Sequence, residues 1–194
     1  MATREEQKAM RKKQILVKAL ELFVINGYHQ TTINDIADAL SISHGLLFHY
    51  FSSKEKLYEE LIQIGIIGQR TPSEHEHSDP YAYFYDFLTM LFSYTKNEPW
   101  VCYMFAFMDQ VRLERNLSDE IKQLLKSVDE VQNSVTIIEQ GQKQGIFVEG
   151  DPYLLSLTFW SCVQGVMRSL IQNDHNNVPK VEWMMNILTG GKKR

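Results

Sequence analysis

The side chains able to do chemistry fall into a few groups. His44, His49 and Tyr50 sit in the aromatic run "SHGLLFHYF". His75 and His77 alternate with Glu74 and Glu76 in "SEHEHSD", which ends at Asp79. Tyr103 and Asp109 lie in "PWVCYMFAFMDQVR", and Cys102 and Cys162 each sit in apolar surroundings. Two histidines at i, i+2 in an acidic loop fall short of the four ligands of a structural metal site, so His75 and His77 read as surface residues. Without a CxxC pairing, the cysteines read as buried core thiols rather than a disulfide or zinc ligands. No nucleophile–base pair and no phosphate loop is legible, so the chain reads as a non-enzyme with no cofactor. The first group remains: polar rings on a helix too short to be a core element.

The elements around that helix explain its length. The first helix buries Leu16, Ala19, Leu20 and Phe23 and ends at Asn26-Gly27, where glycine suits a left-handed C-cap. Thr32 and Asp35 have capping-box spacing for a second helix that faces Ile36, Ala37 and Leu40 inward. Ile42 fills the turn, Ser43 caps the third helix, and Leu47 and Phe51 form its core side. Its outer side is His44, Gly45, Leu46, His49 and Tyr50. This is the spacing of a helix-turn-helix, whose second helix enters the major groove and can be short because the groove accepts only its first turns. Ser52 and Glu55 repeat the capping-box spacing and open a fourth helix through Leu57, Leu61 and Ile64.

The rest is helical by its three-and-four periodicity. A polar loop follows at Thr71 to Asp79. Acidic-Pro starts recur at Asp79-Pro80, Glu98-Pro99 and Asp151-Pro152. Ser118 opens a stripe of Ile121, Leu124, Leu125, Val128, Val131 and Val135 that runs to Gly145, and Val178-Pro179 opens a last helix stopping at Gly190-Gly191. The expectation is an all-α chain of about nine helices. Hydrophobic residues make up 44% of the 194, enough to bury a core, and no apolar run reads as a membrane span. The net charge of −4 is unevenly spread: residues 1–56 carry 8 Lys/Arg against 6 Asp/Glu, and the remainder 12 against 18. A mildly basic head on an acidic body fits polyanion binding by the head alone, in a cytoplasmic protein.

The segment "ALELFVINGYHQTTINDIADALSISHGLLFHYFSSKEKLYEEL" resembles the DNA-binding segment of the tetracycline-repressor (TetR) family of bacterial regulators. The carriers are the helix ending in "NGY", the "TTI" start, "IA" in the second helix, "SHGLLFHYF" and "SKEKL". The resemblance covers about the first 60 residues, and "GQKQGIFVEGDPYLLSLTFWSCVQGVM" is similar to a looser pattern near the family's C-terminus. It implies that His44, Gly45, Leu46 and His49 face base edges and that Thr32, Tyr50 and Lys54 contact phosphates. Arg11, Lys12 and Lys13 are further candidates for backbone charge, equally readable as a solvated face. Two departures stand out: Ser41 replaces a turn glycine, and Phe48 replaces a tyrosine and so has no hydroxyl for a phosphate.

The resemblance divides the chain into a helix-turn-helix domain, residues 1–52, and a helical effector-binding and dimerisation domain, residues 53–194. Trp100, Tyr103, Met104 and Phe107 share a stripe on a helix apolar on nearly every face, and with Gln132 and Gln164 they are the candidate effector contacts. The last two helices are expected to form a homodimer that reads a palindromic DNA operator. The function implied is a repressor released by a small, largely apolar effector. A regulator without an effector, or a helical enzyme, are the competing readings.

Overall fold

The computed structural model describes residues 3–70, 79–173 and 177–192. Within them the chain is helical and contains no strand. Most starts are set by side-chain caps. Thr3 and Glu6 form a capping box at α1 (Arg4–Asn26), which ends at Gly27 with φ 87°. Thr32 and Asp35 form another at α2 (Ile33–Ala39), and the Ser43 hydroxyl accepts from Leu46 N–H to open α3 (His44–Tyr50). The α4 helix (Lys54–Arg70) opens one residue later than its sequence implies: Ser53, not Ser52, accepts from the backbone N–H of Lys56.

Asp79 caps α5 (Pro80–Asn97) and Asp151 caps α10 (Pro152–Gln172), both with proline in the first turn. Glu98 does not cap α6 (Trp100–Leu113); its carboxylate instead accepts from the Trp100 indole and Lys13. The last helix, α11 (Val181–Thr189), starts beyond Val178-Pro179 and ends at left-handed Gly190.

The stripe read as one helix from Ser118 to Gly145 is three: α7 (Asp119–Ser127), α8 (Glu130–Asn133) and α9 (Val135–Lys143). Asp129 makes the first break by accepting from Gln132 N–H, a side-chain cap competing with continuation of α7. The buried Ser134 makes the second, bonding Glu130 O and receiving the Trp160 indole N–H. Counting this interrupted run as one element gives nine helices among the described residues, and counting its pieces gives eleven.

The apolar residues gather into two clusters. The first joins Leu16, Leu20 and Phe23 of α1, Ile36 of α2, Leu47 of α3 and Leu57 and Leu61 of α4 to Phe107, Met108 and Val111 of α6. The second joins Phe84 and Leu88 of α5, Ile138 of α9, Phe159, Val163 and Met167 of α10 and Met185 and Leu188 of α11 to Cys102 of α6. The α6 helix serves both, which is why it is apolar on nearly every face. Cys102 is fully buried, and burial pushes its thiol up to about 11; Cys162 is only half-buried, against its reading as a core thiol.

The α10 helix corrects the expectation that no element is long and apolar enough to cross a bilayer. Its 21 residues qualify by length and composition, with a mean hydropathy of 1.3 over the most apolar window. One stripe of it is the spine of the second cluster, packed on α6, α8, α9 and α11. A second stripe faces outward, with Leu154 56% and Leu157 40% exposed, and Trp183 of α11 is 61% exposed.

Ser41 takes the left-handed conformation, φ 53°, in the turn between α2 and α3. Its side chain is exposed and the turn is closed by backbone bonds to Asp38 and Ala37. A left-handed non-glycine residue costs about 1–2 kcal/mol, part of which glycine gives back in unfolded-state entropy. Ser41→Gly is therefore expected to stabilise the protein by about 0.5–1 kcal/mol in urea titration. A loss of stability would show that the serine side chain holds the turn.

Candidate nucleic-acid interface and effector cavity

The third helix is anchored from one side only. Leu47 is fully buried and Phe51 nearly so, both within the first cluster. His44, Gly45, Leu46, Phe48 and His49 face solvent, and Tyr50 is half-buried with its ring edge-on to His49 at 5.6 Å. A seven-residue helix thus presents two imidazoles, an aliphatic group and a bare backbone position on one open face. Imidazole can donate to or accept from base edges, and Leu46 can meet a thymine methyl. Phe48, 52% exposed, joins this face, although the sequence reading gave it no role. Its exposure follows from the Leu47–Phe51 spacing, which turns the residue after Leu47 away from the core.

The residues around this face are already committed to one another. The Thr32 hydroxyl bonds Asp35, and the bonds from Thr32 hold the Asp35 carboxyl below its usual range. Lys54 donates to the carbonyls of Tyr28 and Thr31, both at 2.9 Å, with its ammonium 4.3 Å over the Tyr28 ring. It clasps the loop between α1 and α2 to the start of α4, and one of its three donors remains for a phosphate. Lys12 pairs with Glu60 at 2.6 Å, and Lys13 with Glu98 at 2.9 Å. Those two lysines, candidates for backbone charge, instead tie α1 to α4 and to the start of α6.

Behind this head, α4, α5 and α6 line a cavity of about 320 Å³ that opens to solvent on one side, where Tyr94 and Met90 are exposed. Gly65 and Gln69 of α4, Phe87 and Tyr94 of α5, and Trp100 and Met104 of α6 line it, together with Glu130 at the start of α8. Of the candidate effector contacts, Trp100 and Met104 are in this wall. Tyr103 and Phe107 are not: they lie on the flank of the shared stripe that is turned toward α1 and the first half of α4. Phe107 packs against Tyr58 at 5.2 Å, and Tyr103 lies within the electrostatic reach of Glu21 and Lys18 on α1. Gln132 is exposed, turned outward by the break at Asp129, and Gln164 does not line the cavity either.

The polar lining comes from residues that sequence reasoning missed. Arg112 donates to Gln69 Oε1 at 3.2 Å and to Glu130 Oε2 at 3.3 Å, which puts both acceptors at one end of the cavity. The same guanidinium bonds the carbonyls of Leu125 and Val128. Burial pushes the Glu130 carboxyl up to about 7, against its own backbone N–H and the attraction of Arg112. No pattern in the sequence marks Glu130, because the cap at Asp129 decides which way it points. His75 and His77 lie outside the described residues, and no group of three or more metal-ligating side chains occurs among those described.

A short, solvent-facing helix seated on a capped partner is the arrangement of a helix-turn-helix. Residues 15–61 match the family described as bacterial regulatory proteins, tetR family. The repressor KstR2 of Mycolicibacterium smegmatis is 40% identical over 57 residues, 29% of this chain and 28% of that one. The match therefore spans little more than a quarter of that relative's length. The regulator RutR of Escherichia coli O157:H7 is 27% identical over 156 residues, 79% of this chain and 72% of that one. The crystal structure of PfmR, a TetR family regulator from Thermus thermophilus, covers 100% of both chains with a TM-score of 0.65 at 24% identity, a likeness of fold.

Proposed function

We propose that this chain is a homodimeric transcriptional repressor that leaves a palindromic operator when a small, largely apolar effector fills the cavity. The observation that carries the reading is the open face of α3, with His44, Leu46 and His49 exposed beside Gly45. The DNA-reading domain is residues 1–52 and the effector and dimerisation domain residues 53–194. The protein acts by binding, not by catalysis, in the cytoplasm. A repressor among its relatives supports the sign of regulation. The cavity counts against a purely architectural DNA binder, which needs none.

The outward stripe of α10 and Trp183 of α11 supports the dimer, because contiguous exposed apolar surface marks an interaction site. Two-fold pairing sets two copies of α3 one turn of DNA apart, roughly 34–36 Å. The α4 helix links the two functions: its first residue, Lys54, clasps the head, and near its end Gln69 borders the cavity.

The test is a mobility-shift comparison on the operator and on random duplex. His49→Ala is expected to cost about 1–3 kcal/mol on the operator and little on random DNA, relaxing preference at one base position of each half-site. Lys54→Ala is expected to weaken both alike and to flatten the salt dependence. Equal loss on both duplexes for His49→Ala would remove it from base reading.

A further inference from the structure

We propose that the cavity selects a lipophilic amine, whose protonated nitrogen is held at the end formed by Glu130 and Gln69. This names the ligand class of the effector site and rests on the effector reading above. Three observations lead to it.

The first is polarity. Among the described lining residues the walls are aliphatic and aromatic except at that end. The indole N–H of Trp100 is already spent on Glu98, at 2.6 Å. A carboxylate offers about four acceptor positions. Arg112 and the Glu130 backbone N–H engage Glu130 from the protein side, leaving acceptor capacity for a donor in the cavity.

The second is charge. Glu130 interacts with Arg112 and Asp129 and with Asp109, whose own cation is Arg168 at 3.9 Å. The phenol of Tyr83, on α5, faces the same carboxylate. With Glu130 ionised, three carboxylates stand against two guanidiniums, a net charge of −1. An ammonium cancels it, and a ligand carboxylate adds to it. Arg112 is no remedy for an anion, because it is not in the lining and its hydrogen bonds go to Gln69, Glu130 and two carbonyls.

The third is the wall itself. Phe87, Tyr94, Trp100 and Phe105 line the cavity, with Tyr94 at its open side. Aromatic faces attract a cation that has left water, and they also suit the ligand's apolar part. A partly buried carboxylate short of compensation, as Glu130 is, gains from a cation brought by the ligand.

The test is calorimetric titration of the full chain with three probes of equal length: decylamine, 1-decanol and decanoate. At neutral pH the amine is expected to bind about tenfold or more tightly than the alcohol, with decanoate weakest. In Glu130→Gln, which keeps the shape and removes the charge, the amine is expected to fall to the alcohol's affinity while the alcohol's stays put. An alcohol that matches the amine in the unmodified protein overturns the ligand class and leaves the effector cavity standing. Binding by none of the three overturns both. An amine preference that survives in Glu130→Gln, with its melting temperature preserved, removes Glu130 from the site. The unmodified protein alone decides between amine and alcohol should that variant fail to fold.

Discussion

Replacing Leu154 and Leu157 together with Asp is expected to give a folded monomer that binds the operator about a hundredfold or more weakly. The two positions are i and i+3 on α10, 56% and 40% exposed, so in a single chain the change touches little packing. Across a two-fold axis the same change places four carboxylates in one apolar seam. An unpaired buried charge costs several kcal/mol, enough to separate the protomers. A lone head then loses the effective concentration supplied by its partner, a factor of about 10²–10⁴. Sedimentation and a mobility shift on the same sample check both halves. A variant that remains dimeric would move the interface off α10, and a monomer with full affinity would dispose of the two-fold reading.

Phe107→Ala is expected to cost about 3–5 kcal/mol of stability, the range for deleting a buried ring. Phe107 is 1% exposed, and its ring meets Tyr58 edge-on. Tyr58 in turn meets Phe23 at 5.8 Å and Tyr28 at 4.3 Å, so the hole would open beneath the DNA-reading head. At about 2–4 °C per kcal/mol for a chain of this size, the melting temperature would fall by roughly 6–20 °C. Because Phe107 does not line the cavity, ligand affinity in the remaining folded fraction should not change. A stable variant with weakened ligand binding would return the residue to the pocket.

The head was legible in the sequence because local rules decide it. Thr32 with Asp35, Ser43, and Gly27 each act within three or four residues of the helix end they set. The rest depends on contacts that local spacing does not encode. Ser52 and Ser53 are equally good caps on paper, and only the path of the turn chooses Ser53. Glu98 has the spacing of a cap, but Lys13, 85 positions away, draws its carboxylate elsewhere. The apolar stripe beyond Ser118 is a sound helical pattern, broken because Asp129 and Ser134 bond locally and Trp160 locks the second break. The first break, at Asp129, leaves Glu130 at the cavity and Gln132 at solvent. On α6 the stripe was right and its division was not: half of an all-round apolar helix faces the cavity, and nothing in its composition says which half.

One rod joins the DNA-reading head to the cavity. The α4 helix has 17 residues and is therefore about 25 Å long. Held near Gln69 and tipped by only about 5°, a lever arm of that length carries its far end roughly 2 Å. In a symmetric pair the displacements oppose each other, and the gap between the two reading helices changes by roughly 4 Å, more than the roughly 3.4 Å rise of one base step. In the proposed dimer, a ligand that tips α4 by this amount would put the pair out of step with a palindromic operator. The amplification comes from the helix's length, with no bending of the head.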